Sequence, residues 1–167
     1  ISQQVNSNSS TKDILSNLEE LFPFPLDDFQ LDAIKSLNSG NSIVLTAPTG
    51  SGKTVVGEFA IYRALNHESR IFYTTPLKAL SNQKFRDFCI QFGVHKVGLL
   101  TGDMSINRNA PVLVMTTEIL RNMLYGEFDD FDDPLFNLES IILDECHYMN
   151  DPQRGTVWEE TIIHCPS

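Results

Sequence analysis

The residues whose types and spacing could do chemistry fall in two places. One is Ala47-Pro48-Thr49-Gly50-Ser51-Gly52-Lys53-Thr54, and the other, about ninety positions later, is Asp144-Glu145-Cys146-His147. Gly50 and Gly52 allow the backbone between Thr49 and Lys53, Ser51 included, to turn so that successive N–H groups point inward at phosphate oxygens. A helix beginning at Lys53 adds the partial positive charge of its N-terminus. Lys53 can then reach the β- and γ-phosphates of a nucleoside triphosphate, and the Thr54 hydroxyl can ligate Mg²⁺. Asp144 and Glu145 supply two carboxylates. One can hold a metal while the other orients and deprotonates an attacking water. Asp144 fits the metal role and Glu145 the base role. An acidic pair alone is a weak signal, because surface carboxylates are common. Together with a phosphate loop it points to hydrolysis of ATP with Mg²⁺.

Such chemistry needs a scaffold that brings loops and strand ends to one edge. Apolar residues at Ile14, Leu15, Leu18, Leu21 and Phe22 predict a helix stopped by Pro23 and Pro25. A second helix is expected over 28–37, ended by Asn38-Ser39-Gly40. A short buried strand over 42–46 should feed the glycine-rich loop and a helix over 53–65. Another strand is expected at 71–74. Phe85, Phe88, Cys89 and Phe92 recur at i, i+3, i+4, i+7 and predict a helix with one buried face. Further short apolar runs lie at 97–100, 112–115 and 140–143. Short strands alternating with helices imply an α/β fold, an open and mostly parallel sheet with helices on both faces. Ligands of such sheets bind beyond the carboxyl ends of the strands, and each polar motif here directly follows an apolar run.

A length of 167 residues allows one domain with a real core, expected over 12–167, preceded by a Ser/Asn/Gln-rich tail at 1–11. No apolar run reaches membrane-spanning length, so no membrane association is expected. Cys89, Cys146 and Cys165 show no paired spacing and read as reduced thiols of an intracellular protein. The net charge is −10, which argues against a general nucleic-acid glue. Residues 1–116 hold ten basic and ten acidic side chains, whereas 117–167 hold two basic and twelve acidic ones. The imbalance therefore lies in the last third, partly in Asp129-Asp130-Phe131-Asp132-Asp133, read as a solvated loop. Any polyanion must bind elsewhere.

With Asp144-Glu145-Cys146-His147 as its namesake motif, the chain resembles superfamily-2 helicases of the DExH-box group. Further segments narrow the resemblance to the superkiller-type (Ski-like) RNA helicases. These are Phe24-Pro25-Leu26-Asp27-Asp28-Phe29-Gln30, Pro76-Leu77-Lys78-Ala79-Leu80-Ser81-Asn82-Gln83, Leu100-Thr101-Gly102-Asp103, Met115-Thr116-Thr117-Glu118-Ile119-Leu120-Arg121 and Arg154-Gly155-Thr156-Val157-Trp158-Glu159-Glu160. The resemblance implies an N-terminal RecA-like P-loop NTPase domain of an ATP-dependent helicase that acts on single-stranded nucleic acid, with RNA ahead of DNA.

By that resemblance, Gln30 reads the adenine edge and Phe24 stacks on the base. Pro76, Lys78 and Gln83 lie along the nucleic-acid backbone, and Thr101, Gly102, Thr116, Thr117 and Arg121 add contacts to it. Thr117 could equally be a helix cap. His147 couples the ATP site to a partner domain or to the polymer, and Trp158 reads as core. Helicases of this type also use a Ser/Ala-Thr motif and a second RecA-like domain whose arginine finger is worth ~10³-fold or more in rate. Neither is present before Ser167. The remaining alternatives are a DNA helicase and a non-catalytic nucleotide-binding or docking fragment, with a monomer expected in each case.

Overall fold

The computed structural model describes residues 18, 21–48, 50–126, 133, 135–150 and 161–162. The chain divides into two compact units, Ile1–Val56 and Gly57–Ser167.

In the first unit Leu18, Phe22, Ala33 and Ile34 are buried. Helix α1 (Asp28–Asn38) starts after Asp27, whose N–H donates to Gln30 Oε1 at 2.8 Å. It ends where Gly40 takes a left-handed φ of 79°, the Asn-Ser-Gly stop expected from sequence. Helix α2 (Lys53–Asn66) begins in this unit and runs into the next. The buried strand expected over 42–46 does not form. Those residues have no ladder partner among the described residues, and Val44 is 96% exposed. An apolar run favours burial, but a strand exists only where a neighbouring backbone completes its hydrogen bonds.

The second unit is built on a five-stranded sheet in the order β3-β2-β4-β1-β5. Its strands are β1 (Arg70–Thr75), β2 (Val97–Thr101), β3 (Met104–Ile106), β4 (Val112–Thr116) and β5 (Leu138–Leu143). Pairs β2/β4, β4/β1 and β1/β5 are parallel, and β3 adds an antiparallel edge. The short β3 is absent from the sequence pattern because all three of its residues are exposed. β1, β2 and β4 are buried almost throughout, as strands covered on both faces must be.

Period-two alternation sorts their side chains. Phe72, Leu100, Leu113 and Met115 form one core with Ile119, Leu120 and Met123 of helix α4 (Thr117–Leu124). On the other face Tyr73 meets the edge of Phe88 from helix α3 (Lys78–Phe92), with ring centroids 5.0 Å apart. Of the apolar stripe predicted for α3, only Phe88 is fully buried. The register sets Thr75 level with Thr116 and Thr74 level with Leu143. The carboxyl ends of the central strands therefore finish together.

Helix α2 is tethered to β5 by an ion pair. Arg63 Nε lies 2.6 Å from Glu139 Oε1, with the two side chains only 15% and 16% exposed, and His67 Nδ1 approaches Glu139 Oε2 at 3.0 Å. Removing one member of a mostly desolvated pair is costlier than losing a surface bridge. Glu139→Ala should therefore destabilise the fold by about 1–3 kcal/mol, read as a lower midpoint in urea. A midpoint equal to that of the parent protein would show the tether to be idle.

Candidate functional site

The phosphate loop belongs to the first unit. Gly50 and Gly52 take left-handed φ of 80° and 79°, the conformation that the sequence pattern requires of them. Ser51 N–H donates to Pro48 O at 3.2 Å, and Val55 N–H donates to Gly52 O at 3.1 Å as α2 begins. Lys53 Nζ folds back over the loop, donating to Ala47 O and, at 3.0 Å, to Pro48 O. Its ammonium thus stands on carbonyls inside the curl where a phosphate's oxygens would compete for it. Ser51 Oγ is buried with no hydrogen-bond partner among the described residues, an orphan that an incoming oxygen could satisfy. Thr54 follows Lys53 in the first turn of α2 and is half-buried. Thr49 lies outside the described residues.

Gln30 is 4% exposed and its amide is engaged at both ends. Oε1 accepts from Asp27 N–H, and Nε2 donates to Gly52 O at 2.9 Å. The side chain assigned to adenine thus braces the phosphate loop. A Cβ on Gly52 would lie 2.6 Å from that Nε2, so the glycine is needed for space as well as for its φ. Phe24 is half exposed, with its ring 5.8 Å from that of Phe22.

The acidic pair belongs to the second unit, directly after β5. Asp144 N–H donates to Thr74 O at 3.0 Å, which extends the β1/β5 ladder to the first carboxylate. Its Oδ1 accepts from Glu145 N–H at 2.9 Å, and its Oδ2 accepts from the Tyr73 hydroxyl at 2.6 Å. Glu145 holds a left-handed φ of 57°, an uncommon conformation for a residue other than glycine. That turn throws its carboxylate outward, where Oε2 meets His147 Nδ1 at 3.0 Å. Cys146 Sγ donates to Leu143 O at 2.9 Å, and burial, followed by the charge of Asp144, pushes its thiol pKa up. No cluster of three or more acidic, His or Cys side chains stands ready for a metal among the described residues. A lone carboxylate still suits Mg²⁺, which is commonly held by one or two carboxylates plus substrate phosphates. Each Asp144 oxygen keeps a second lone pair for that purpose.

The candidate polymer-binding residues follow the other strands of the same sheet. Pro76 and Lys78 come after β1, Thr101 and Gly102 at the end of β2, and Thr116 and Thr117 at the β4–α4 junction. They are cross-linked. Lys78 Nζ lies 2.6 Å from Asp103 Oδ1, which also accepts from Thr101 Oγ1 at 2.9 Å. The hydrogen bond from Lys78, then that from Thr101, holds the Asp103 carboxyl below the usual range. Thr75 and Ser81 hydroxyls are 2.7 Å apart in the interior. Thr117 is buried and donates its hydroxyl to Thr75 O at 3.3 Å. The capping role considered for Thr117 is not found: Thr116 occupies the N-cap position, and its side chain makes no cap bond. Gly102 borders open space, and Gln83 is exposed on α3. Arg121 bonds Asn122 Oδ1 through Nε and a terminal nitrogen at 3.2 and 2.9 Å.

Two participants are hidden in the sequence. Tyr73 is legible there only as a strand residue, although a polar-tipped ring inside a buried strand is a signal that it needs a partner. Asp103 stands in a segment expected to contact the polymer backbone, and nothing in the sequence pairs it with Lys78. Segment 154–160 with Trp158, the tail at 1–11 and Cys165 lie outside the described residues. No helix among those described is long and apolar enough to cross a membrane.

Comparison with known proteins identifies the family and the fold. The chain is 55% identical over 145 residues to "Probable helicase HelY" of Mycobacterium tuberculosis, covering 86% of this chain and 16% of the relative. It is 51% identical over 154 residues to the DExH-box ATP-dependent RNA helicase DExH15, chloroplastic, of Arabidopsis thaliana, covering 91% and 13%. The chain therefore spans about a sixth or less of the length of these relatives. Among solved structures, Mycobacterium smegmatis helicase Lhr bound to ssDNA and AMP-PNP superposes with a TM-score of 0.64 at 25% identity, covering 88% of this chain and 22% of that one. The sheet is thus that of a RecA-like helicase domain. The DEAD/DEAH box helicase model matches residues 27–167, and the chain belongs to that family.

Proposed function

We propose that this chain is the ATP-binding RecA-like part of an ATP-dependent helicase, in which residues 12–167 serve as one functional domain and hydrolysis to ADP and phosphate drives movement along a single strand. The observation that carries this reading is the end of β1. Its Thr74 carbonyl holds Asp144, while Thr75 holds Thr117 and Ser81 beside the Lys78 segment. One strand end thus fixes both the groups suited to phosphate chemistry and those suited to a nucleic-acid backbone.

The assigned roles follow the chemistry of each group. Backbone N–H groups of residues 49–53 receive the phosphates, and Lys53 leaves its carbonyl partners for the β- and γ-phosphates. Thr54 and Asp144 would hold Mg²⁺, which when bound neutralises charge on the phosphates. Glu145 orients the attacking water and takes its proton, and His147, facing Glu145, passes the state of that site to a partner domain or the polymer. Phe24 packs on the base, and Gln30 links base recognition to the loop through Gly52. Lys78, Gln83, Thr101, Gly102, Thr116, Thr117 and Arg121, with Pro76 shaping the turn, follow the polymer backbone without reading bases. A second RecA-like domain closes the nucleotide site. RNA is the favoured polymer, since the relative at 51% identity is named an RNA helicase. The solved helicase with ssDNA is a more distant match. Free Cys89 and Cys146 support an intracellular setting.

In the polypeptide as it occurs in the cell, Lys53→Ala should abolish nucleotide binding measured with a fluorescent ATP analogue. Tight binding by that variant would remove Lys53 from the site. Glu145→Gln should retain binding while kcat for ATP falls by about 10²–10⁴-fold. Unchanged turnover would exclude Glu145 as the base. Lys78→Ala should weaken single-strand binding equally for unrelated sequences and reduce the slope of log K against log salt by about 0.7. A slope that does not move would take Lys78 off the backbone.

A further inference from the structure

Tyr73 is a buried ionisable group to which the hydrolytic roles above assign nothing. It lies on β1, an interior strand between β4 and β5, and is 2% exposed. Its ring is held on several sides. Phe88 meets it edge-on at 5.0 Å, and the Lys84 ammonium stands 5.6 Å from its centroid. A Cβ on Gly57 would meet its Cε2 at 3.4 Å and Ile142 Cδ1 at 3.7 Å, so the ring packs closely against α2. The one polar atom of this fixed ring donates to Asp144 Oδ2 at 2.6 Å. Hydroxyl-to-carboxylate bonds of that length are the strong, charge-assisted kind.

We propose that Tyr73 is a positioning residue that sets the orientation of the Asp144 carboxylate toward Mg²⁺. This rests on the metal role assigned to Asp144. A carboxylate beyond the end of a strand can rotate about its side-chain bonds and would present its lone pairs over a range of directions. Here both oxygens are tied to donors that cannot follow it. Oδ1 is tied to a backbone N–H in a turn of fixed hand, and Oδ2 to a phenol anchored in the core. The carboxylate plane is thereby fixed, with one lone pair of each oxygen left over for the ion or its bound water. Outer partners of metal-binding groups act in this way, and their loss costs about 10–100-fold in metal affinity or activity.

A purely structural alternative is available: a buried phenol needs an acceptor, and Asp144 is at hand. Tyr73→Phe separates the two, because it keeps the ring and its packing and deletes only the donor. Binding of a fluorescent ADP analogue is titrated against Mg²⁺ in the parent protein, in Tyr73→Phe and in Asp144→Asn, with Mg²⁺-free nucleotide affinity and the thermal midpoint as controls for folding. The expected result for Tyr73→Phe is a rise of about tenfold in half-saturating Mg²⁺. Mg²⁺-free affinity should be unchanged, and kcat should fall while KM for ATP at saturating Mg²⁺ stays constant. A Mg²⁺ requirement within twofold of the parent's, alongside a raised requirement in Asp144→Asn, overturns the role of Tyr73 and leaves the metal role of Asp144 standing. An unchanged requirement in both variants removes the metal role itself, and the proposal with it.

Discussion

The arrangement depends on the carboxyl end of β1. A parallel strand with neighbours on both sides has its backbone groups committed along its length, so its last residues can carry others only if the ladder continues past them. On one side it does: Thr74 O takes the N–H of Asp144, and the Thr74 hydroxyl donates to Ile142 O at 3.1 Å. On the other side Thr75 O accepts from Thr117, and the Thr75 hydroxyl meets Ser81 at the start of α3. Two adjacent threonines therefore join the turn after β5, the first turn of α4 and the first turn of α3. Each of these bonds is worth about 1 kcal/mol net. Because they share one strand end, shifting any one of the three turns strains the other two.

Much of this was legible in the sequence, for a definable reason. Motifs such as Thr49-Gly50-Ser51-Gly52-Lys53-Thr54 act through backbone conformation, and glycine at a left-handed position is written in the residue type itself. The strands at 71–74, 97–100, 112–115 and 140–143 were likewise carried by their own apolar runs, and the structure lengthens each by one or two residues. What the sequence could not carry were relations between distant segments. Residues 42–46 look like a strand by composition, but strandness is conferred by a partner, and Val44 is almost fully exposed. The edge strand β3 has the opposite character: its exposed residues give no pattern, and it exists because β2 offers an open ladder. Tyr73 and Asp144 are 71 positions apart, and only the β1/β5 register brings them together. Thr117 shows how a local rule misleads. A threonine at a strand–helix junction reads as a cap, yet its hydroxyl turns inward to Thr75.

The electrostatics bear on how an acidic chain could hold a polyanion at all. With a net charge of −10 the overall field is repulsive, so attraction must be local. The Lys78 ammonium at the strand ends is not idle, because Asp103 already lies against it. A phosphate arriving there exchanges one anion for another across a water-exposed pair, where two unit charges 4 Å apart interact by only about 1 kcal/mol. Asp103, whose carboxyl is held below its usual range by Lys78 and then Thr101, is a charged competitor there, as an ordinary exposed carboxylate would be. The gain per contact is consequently small, salt-sensitive and blind to base identity. Such contacts favour repeated release over tight residence. On the proposed reading affinity is spread over several loops, and the shared strand end is what would hold them in register.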